Sequence, residues 1–254
     1  MSVSSSDPAE RPLLRPDIDP LALYAAAIDT SDYVARVAPL VRAGVPDIGD
    51  LLDVGAGGGQ LGSALRDSHR QWTAIEPAAS MRARLAALDR PPRVLASGWQ
   101  AADPGLAHDT VLAATMPAFL ETPGIFLARC RAWTRRKVVW IVPAQAGPRG
   151  LCMAGCLPSA WHGEDETPGV DIVLRGLSSS EQPDGIAFAD WTFTAVVPDI
   201  AALATYLADR LRWPAADGRR PQMAAHLAAQ VKCGPAGDRL EITRKSAVLA
   251  WGKP

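Results

Sequence analysis

An apolar run that breaks into glycines constrains this chain more than any other feature: Leu51-Leu52-Asp53-Val54-Gly55-Ala56-Gly57-Gly58-Gly59-Gln60-Leu61-Gly62. Leu51 to Val54 reads as a short buried strand, and Leu61 to Asp67 as the start of a helix. The turn between them needs backbone conformations that glycine adopts at least cost. Without side chains in the turn, a ligand can approach the backbone closely, and the helix N-terminus offers it free N–H groups.

The same rhythm continues. Trp72 to Ile75, Arg93 to Ala96, Thr110 to Ala114 and Lys137 to Val142 read as strands, with helices over Ala79 to Leu88 and Gly124 to Trp133. Strands alternating with helices predict an α/β fold with a mostly parallel, doubly wound sheet covered on both faces. Upstream, Leu21 to Arg42 is helical in pattern, with Thr30-Ser31-Asp32 as an interruption that caps a second helix. Residues 1–19 are polar and proline-containing and are expected to be a flexible arm ahead of a single domain over 20–254. Beyond Pro143 the pattern changes. Residues 144–185 are rich in Gly, Pro, Ser and acidic groups, with one short helix near Leu151, and 144–189 reads as a substrate-side insertion or lid. Strands over Asp190 to Val197 and Leu240 to Trp251 then enclose helices over Ile200 to Leu211 and Pro221 to Val231.

The glycine run fits two cofactor classes. Gly57-Gly58-Gly59-Gln60-Leu61-Gly62 satisfies the G-x-G-x-x-G fingerprint of dinucleotide sites. That match is out of place, because the turn already begins at Gly55, and a count from there puts Gln60 at the third fingerprint position. Asp53-Val54-Gly55-Ala56-Gly57-Gly58-Gly59 instead resembles the first motif of the class I S-adenosylmethionine-dependent methyltransferases: an acidic residue two positions before three alternating glycines. The resemblance covers residues 45–143 best. It implies a Rossmann-like seven-stranded sheet with an antiparallel last strand. It also implies that Asp53, Gly55, Gly57 and Gly59 cradle the methionine part of S-adenosylmethionine.

Three further strand ends extend the comparison. Ala74-Ile75-Glu76-Pro77 places a carboxylate where it can accept hydrogen bonds from both ribose hydroxyls, or merely cap the following helix. The family holds adenine in the loop that here reads Ser97-Gly98-Trp99-Gln100, so Trp99 is a stacking candidate and Gln100 a base-edge partner, against an ordinary buried indole. The fourth strand ends at Ala114-Thr115-Met116-Pro117, which adds Thr115 as a cofactor contact and Met116 as a substrate contact. The Asn-Pro-Pro-aromatic motif of enzymes that methylate base amino groups is absent there.

The remaining features narrow the function less. With Lys+Arg 26 against Asp+Glu 27 in 254 residues, no broad basic surface is expected to draw a nucleic acid. No apolar run approaches the roughly 20 residues that span a bilayer. Four cysteines in a chain this long do not suggest a disulfide scaffold, so a cytoplasmic protein with reduced thiols is expected. Cys152, Cys156 and His162 are soft ligands without an obvious fourth, and no metal site is expected. Trp161, His162 and Trp213 are substrate-pocket candidates, while Trp140 and Trp191 read as core. The basic cluster Arg129, Arg131, Arg135, Arg136 and Lys137 falls at the amino end of the sheet, where cations offset a helix dipole.

The expected reaction is direct displacement of the sulfonium methyl by a small-molecule acceptor. It needs alignment more than a base, so no catalytic residue is assigned. His108, His162 and Glu164 are groups to test. A non-catalytic S-adenosylmethionine-binding protein, a methyltransferase of proteins or nucleic acids, and a nicotinamide oxidoreductase remain the alternatives. The oligomeric state is not legible.

Overall fold

The structure is a computed structural model that describes residues 19–105, 107–147, 154–197, 199–233 and 238–252. The expected arm over 1–19 lies outside the described residues except for Asp19, whose carboxylate accepts the Leu21 N–H at 2.9 Å and caps the first helix. Helix α1 (Pro20–Thr30) stops at Ser31, and α2 (Tyr33–Gly44) starts beyond Asp32. The alternating half follows: β1 (Leu51–Val54), α3 (Gln60–Leu65), β2 (Trp72–Ile75), α4 (Ala79–Ala86), β3 (Arg93–Leu95), β4 (His108–Ala114), α5 (Pro123–Trp133) and β5 (Thr134–Pro143). Then come α6 (Ser159–His162), α7 (Gly169–Gly176), β6 (Gly185–Val196), α8 (Ile200–Arg210), α9 (Arg219–Gln230) and β7 (Arg239–Gly252).

The seven strands form one sheet in the order β3-β2-β1-β4-β5-β7-β6. β1 to β5 are mutually parallel, and β7 runs antiparallel between β5 and β6. This is the expected Rossmann-like sheet with an antiparallel last strand. Alternation along each strand splits the core in two. Leu51 of β1, Leu112 of β4 and Val139 and Ile141 of β5 join α2, α3, α8 and α9 on one face. Leu52, Val54, Val111, Val138 and Trp140 join α5 and α7 on the other. Asp53 shares the parity of Leu51, so its side chain turns into the α2–α3 layer.

Two elements differ from the sequence pattern. Helix α7 lies in the 144–189 segment, where the sequence pattern gives a short helix only near Leu151; eight residues bounded by Gly169 and Gly176 give periodicity little length to act on. β6 begins at Gly185 rather than Asp190: the early residues lack strand-like alternation but are paired with Ser246 to Ala250 of β7. The short helix expected near Leu151 falls mostly outside the described residues, where a 3-10 turn over Ala154–Cys156 is the first element seen.

The α1–α2 interruption ties the helices to the far edge of the sheet. Thr30 Oγ1 donates to the Thr194 carbonyl at 2.5 Å, Ser31 Oγ accepts the Thr194 N–H at 2.8 Å, and Asp32 accepts the Thr192 N–H at 2.6 Å. These groups lie on the free side of β6, so three short polar side chains satisfy an edge that would otherwise invite pairing with another chain. At the amino ends of the strands, Arg135 bridges Asp50 and Asp109, and Arg136 pairs with Asp47. The basic cluster is therefore at the expected end, but direct ion pairs, not a helix dipole, occupy Arg135 and Arg136.

Gly62 permits the close packing of α3 on β1. A Cβ there would fall inside contact distance of the Asp53 carboxylate and 2.7 Å from the Trp72 ring. Gly62→Ala is expected to destabilise the protein by about 1–3 kcal/mol through overpacking, despite alanine's better helix propensity. Urea unfolding of the two proteins measures it, and an unchanged midpoint would contradict this account of the packing.

Candidate active site

The carboxyl ends of β1, β2 and β4 open into one cleft of about 850 Å³, its mouth included. Asp53, Gly55, Ala56, Gly57 and Gly58 come from the end of β1; Glu76, Pro77 and Ala78 from β2; Ala114, Thr115 and Met116 from β4. The opposite wall is α1 and the start of α2, through Leu21, Tyr24, Ala25, Ile28 and Tyr33. Gln60 donates to Asp29 at 2.7 Å and to the Ala25 carbonyl at 3.2 Å, and Arg84 pairs with the same Asp29, so α1 is fastened over the glycine turn.

Gly55, Gly57 and Gly59 all have positive φ, at 67°, 56° and 80°. Their surroundings differ. A Cβ on Gly55 would meet Phe119 and Met116, and one on Gly59 would meet Leu85, whereas one on Gly57 would meet nothing within 4 Å. Gly55 and Gly59 are thus required by packing as well as by φ. Gly57 faces open space inside the cleft, a cradle that a side chain would fill. Thr115 is also left-handed, at φ 54°, which is rare for a β-branched residue. Its N–H donates to Ile141 at 3.0 Å, so β4 pairing continues up to the point where the chain turns into the cleft. Such strain concentrates at functional sites.

Two carboxylates lie within the cleft. Glu76 Oε2 accepts the Gly57 N–H and Oε1 the Ala78 N–H, both at 2.8 Å. Each carboxylate oxygen has two acceptor positions, so both remain able to take a ligand hydroxyl. Asp53 is 4% exposed. Burial, and then the nearby Glu76, push its carboxyl up to about 7. Neither lysine, arginine nor histidine is among the described residues that line the cleft.

Asp53, Gly55, Gly57, Glu76, Pro77, Thr115 and Met116 therefore meet at one place. Gly59 stands just behind them as the N-cap of α3. Trp99 does not face the cleft: it is 8% exposed and packs edge-on against Phe126 at 5.1 Å. Gln100 is exposed beside it and is not among the lining residues. Trp161 packs against Trp213 at 5.5 Å and His226 at 5.0 Å, within the layer built by α8 and α9. His162 Nδ1 accepts the Glu164 N–H at 3.1 Å and its Nε2 lies 3.2 Å from Glu166, a local arrangement of the segment itself. None of these residues lines the cleft, and the described part of 144–189 adds no lining residue. His108 is buried against Thr73 at 3.0 Å where β4 begins, at the opposite end of the sheet. Cys152 lies outside the described residues, and no group of three metal-ligating side chains occurs among those described. Tyr24 and Tyr33 escaped the sequence analysis. The polar break Thr30-Ser31-Asp32 before Tyr33 was the available signal, since it shows that the helix pair bends back at that point.

Solved structures share this fold. A protein from Anaeromyxobacter dehalogenans, provisionally named a type II methyltransferase, is 19% identical over 85% of this chain and 95% of its own, with a TM-score of 0.52. A protein from Bacillus halodurans C-125, provisionally named a methyltransferase, is 9% identical over 87% of this chain and 99% of its own, with a TM-score of 0.50. No protein-family model matches the chain, and no curated protein matches it in sequence. The fold is the Rossmann-like methyltransferase fold.

The raised Asp53 carboxyl has a measurable sign. Its folded value of about 7 lies above the ordinary 3.8, so its contribution to stability is complete below about pH 3.8 and is lost as pH rises through 7. Asp53→Asn is therefore expected to raise the melting temperature of the ligand-free protein more at pH 8 than at pH 5. An equal change at both would show that Asp53 is not a buried, destabilised carboxylate.

Proposed function

We propose that the chain is an S-adenosylmethionine-dependent methyltransferase acting on a small-molecule acceptor. The observation that carries this reading is the union, at the carboxyl ends of β1 and β2, of the open Gly57 cradle with the Asp53 and Glu76 carboxylates. The residues fit the cofactor. Glu76 has free acceptor positions for ribose hydroxyls, Gly57 leaves room for the ligand beside the glycine turn, and the uncompensated Asp53 suits the ligand's ammonium and sulfonium charges.

Bound there, the cofactor supplies a methyl group already activated by a positively charged sulfur. What the chain adds is position and exclusion of water. Thr115 and Met116 end β4 beside the glycine turn, and Leu21, Tyr24 and Ile28 of α1 close the opposite side. An apolar wall of this kind would help to hold an acceptor beside the bound cofactor and to limit the entry of water, a competing nucleophile. The same wall supports the choice of acceptor. It is apolar and aromatic and carries no cation among its described residues, which suits a small acceptor without phosphate or carboxylate groups at the reacting end. A nucleic-acid acceptor would call for basic side chains around the cleft. The single-domain reading of residues 20–254 and a cytoplasmic location remain part of this proposal. No described helix is long and apolar enough to cross a membrane.

Calorimetric titration tests the cofactor. S-adenosylmethionine and S-adenosylhomocysteine are expected to bind saturably, NAD not at all, and Gly57→Val and Glu76→Ala each to weaken binding by at least about tenfold. Binding of NAD alone would replace this reading with that of an oxidoreductase. Methyl transfer from the loaded protein to none of a broad panel of small amines, phenols and thiols would favour a non-catalytic binding protein.

A further inference from the structure

β6 is the last strand of the sheet, and its outer side is finished in two different ways. Along its second half, Asp32 and Ser31 accept the Thr192 and Thr194 N–H groups, and Thr30 donates to the Thr194 carbonyl. The register with β7 is unbroken from Gly185 to Val196, so successive residues turn their backbone groups alternately to β7 and to the outside. Thr192 and Thr194 point outward, and Ile186, Phe188 and Asp190 therefore do so as well. Lys245, opposite Asp190, agrees: its own N–H and C=O go to Gln145 and Ala144 on the β5 side. Among the described residues, none closes a backbone hydrogen bond to the outward groups of Ile186, Phe188 and Asp190.

The side chains on this open half are apolar. Ile186 and Phe188 are 42% and 53% exposed, although Leu249 and Ala247, opposite them on β7, are buried. Edge strands are commonly blunted by charge, proline or a covering element. Here the charge is Asp190, which Lys245 faces at 4.0 Å while also lying over the Phe188 ring. At Gly185 even an added Cβ would meet no atom within 4 Å, so the approach is open.

We propose that this edge is a homodimer interface, in which β6 of a second copy pairs antiparallel over residues 186–190 about a two-fold axis at Phe188. The axis sets Phe188 against its own copy and Ile186 against Asp190 of the second copy, so each outward N–H meets an outward C=O. A cross-strand aromatic pair adds to the backbone bonds. A peptide that joins a sheet edge sets alternate side chains into pockets, whereas Ile186 and Phe188 project and suit a strand that projects likewise. The chain's own beginning leads elsewhere: Asp19 lies beside Ser80 of α4, on the opposite half of the sheet. With a net charge of −1, two copies repel each other little. So short an edge falls below the roughly 1,200–2,000 Å² of a stable interface, and the dimer is weak and reversible. It forms at the sheet edge remote from β1 and β2 and does not depend on the cofactor reading.

Sedimentation velocity of the full chain over a concentration series tests it, with Phe188→Lys and, as control, Ile125→Lys on α5, where Ile125 is 65% exposed. The sedimenting mass is expected to double as concentration rises. Phe188→Lys, which sets two ammonium groups face to face, is expected to raise the dissociation constant at least about tenfold, and Ile125→Lys to leave it unchanged. Exchange of the Ile186, Phe188 and Asp190 amides is expected to slow only as the dimer forms. A monomer at every concentration up to about 0.1 mM would overturn the proposal. So would a dimer that Phe188→Lys leaves intact or that Ile125→Lys weakens equally. Protection of those amides in the monomer would mean that another segment of the chain covers the edge, and would overturn it too.

Discussion

Two carboxylates share one cleft in which no described lining residue is a cation, and much of the structure follows from that constraint. Asp53 enters from β1 and Glu76 from β2, adjacent parallel strands whose register sets Val54 beside Ile75. Glu76 is partly compensated by the N–H groups of Gly57 and Ala78. Asp53 is not, and burial beside a second negative charge raises its carboxyl to about 7. Burial and the neighbouring charge thus disfavour ionised Asp53, and a cationic ligand would offset both. This favours a sulfonium cofactor over a dinucleotide, whose pyrophosphate would add negative charge beside Asp53 and Glu76.

The glycines serve this arrangement in different ways, although the sequence shows them as one run. Gly57 leaves the cleft open, Gly55 and Gly59 let Met116, Phe119 and Leu85 pack against the turn, and Gly62 gives the Asp53 carboxylate room beneath α3. The partial dinucleotide fingerprint ending at Gly62 thus has a packing explanation. Close helix–strand approach is common to both cofactor classes, which is why the six-residue pattern alone does not distinguish them.

The sheet was legible because its signals are local. Leu51 to Val54, Trp72 to Ile75 and Lys137 to Val142 are short apolar runs between helical segments, and their order determined the parallel half. Asp53, Gly57 and Glu76 were legible for the same reason: each stands at a strand end, where the fold presents side chains to ligands. The other wall of the cleft was not. Tyr24 and Tyr33 reach it only because Thr30, Ser31 and Asp32 bind the backbone of β6, about 160 residues away in sequence. Trp99 shows the same limit from the other side. Its loop follows β3 as expected, but Phe126 of α5 supplies an aromatic partner that no local pattern announces, and the indole turns into the core. Trp161 finds Trp213 and His226 for the same reason.

The central claim is that the cofactor sits between the β1–β2 turns and the α1–α2 pair. Hydrogen exchange with and without saturating S-adenosylhomocysteine tests it most directly, since exchange reports local opening segment by segment. Slowed exchange is predicted across residues 20–33, 53–60 and 76–81, with little change over α6 and α7. Unchanged exchange in the glycine turn, or protection confined to α8 and α9, would contradict the placement of the site.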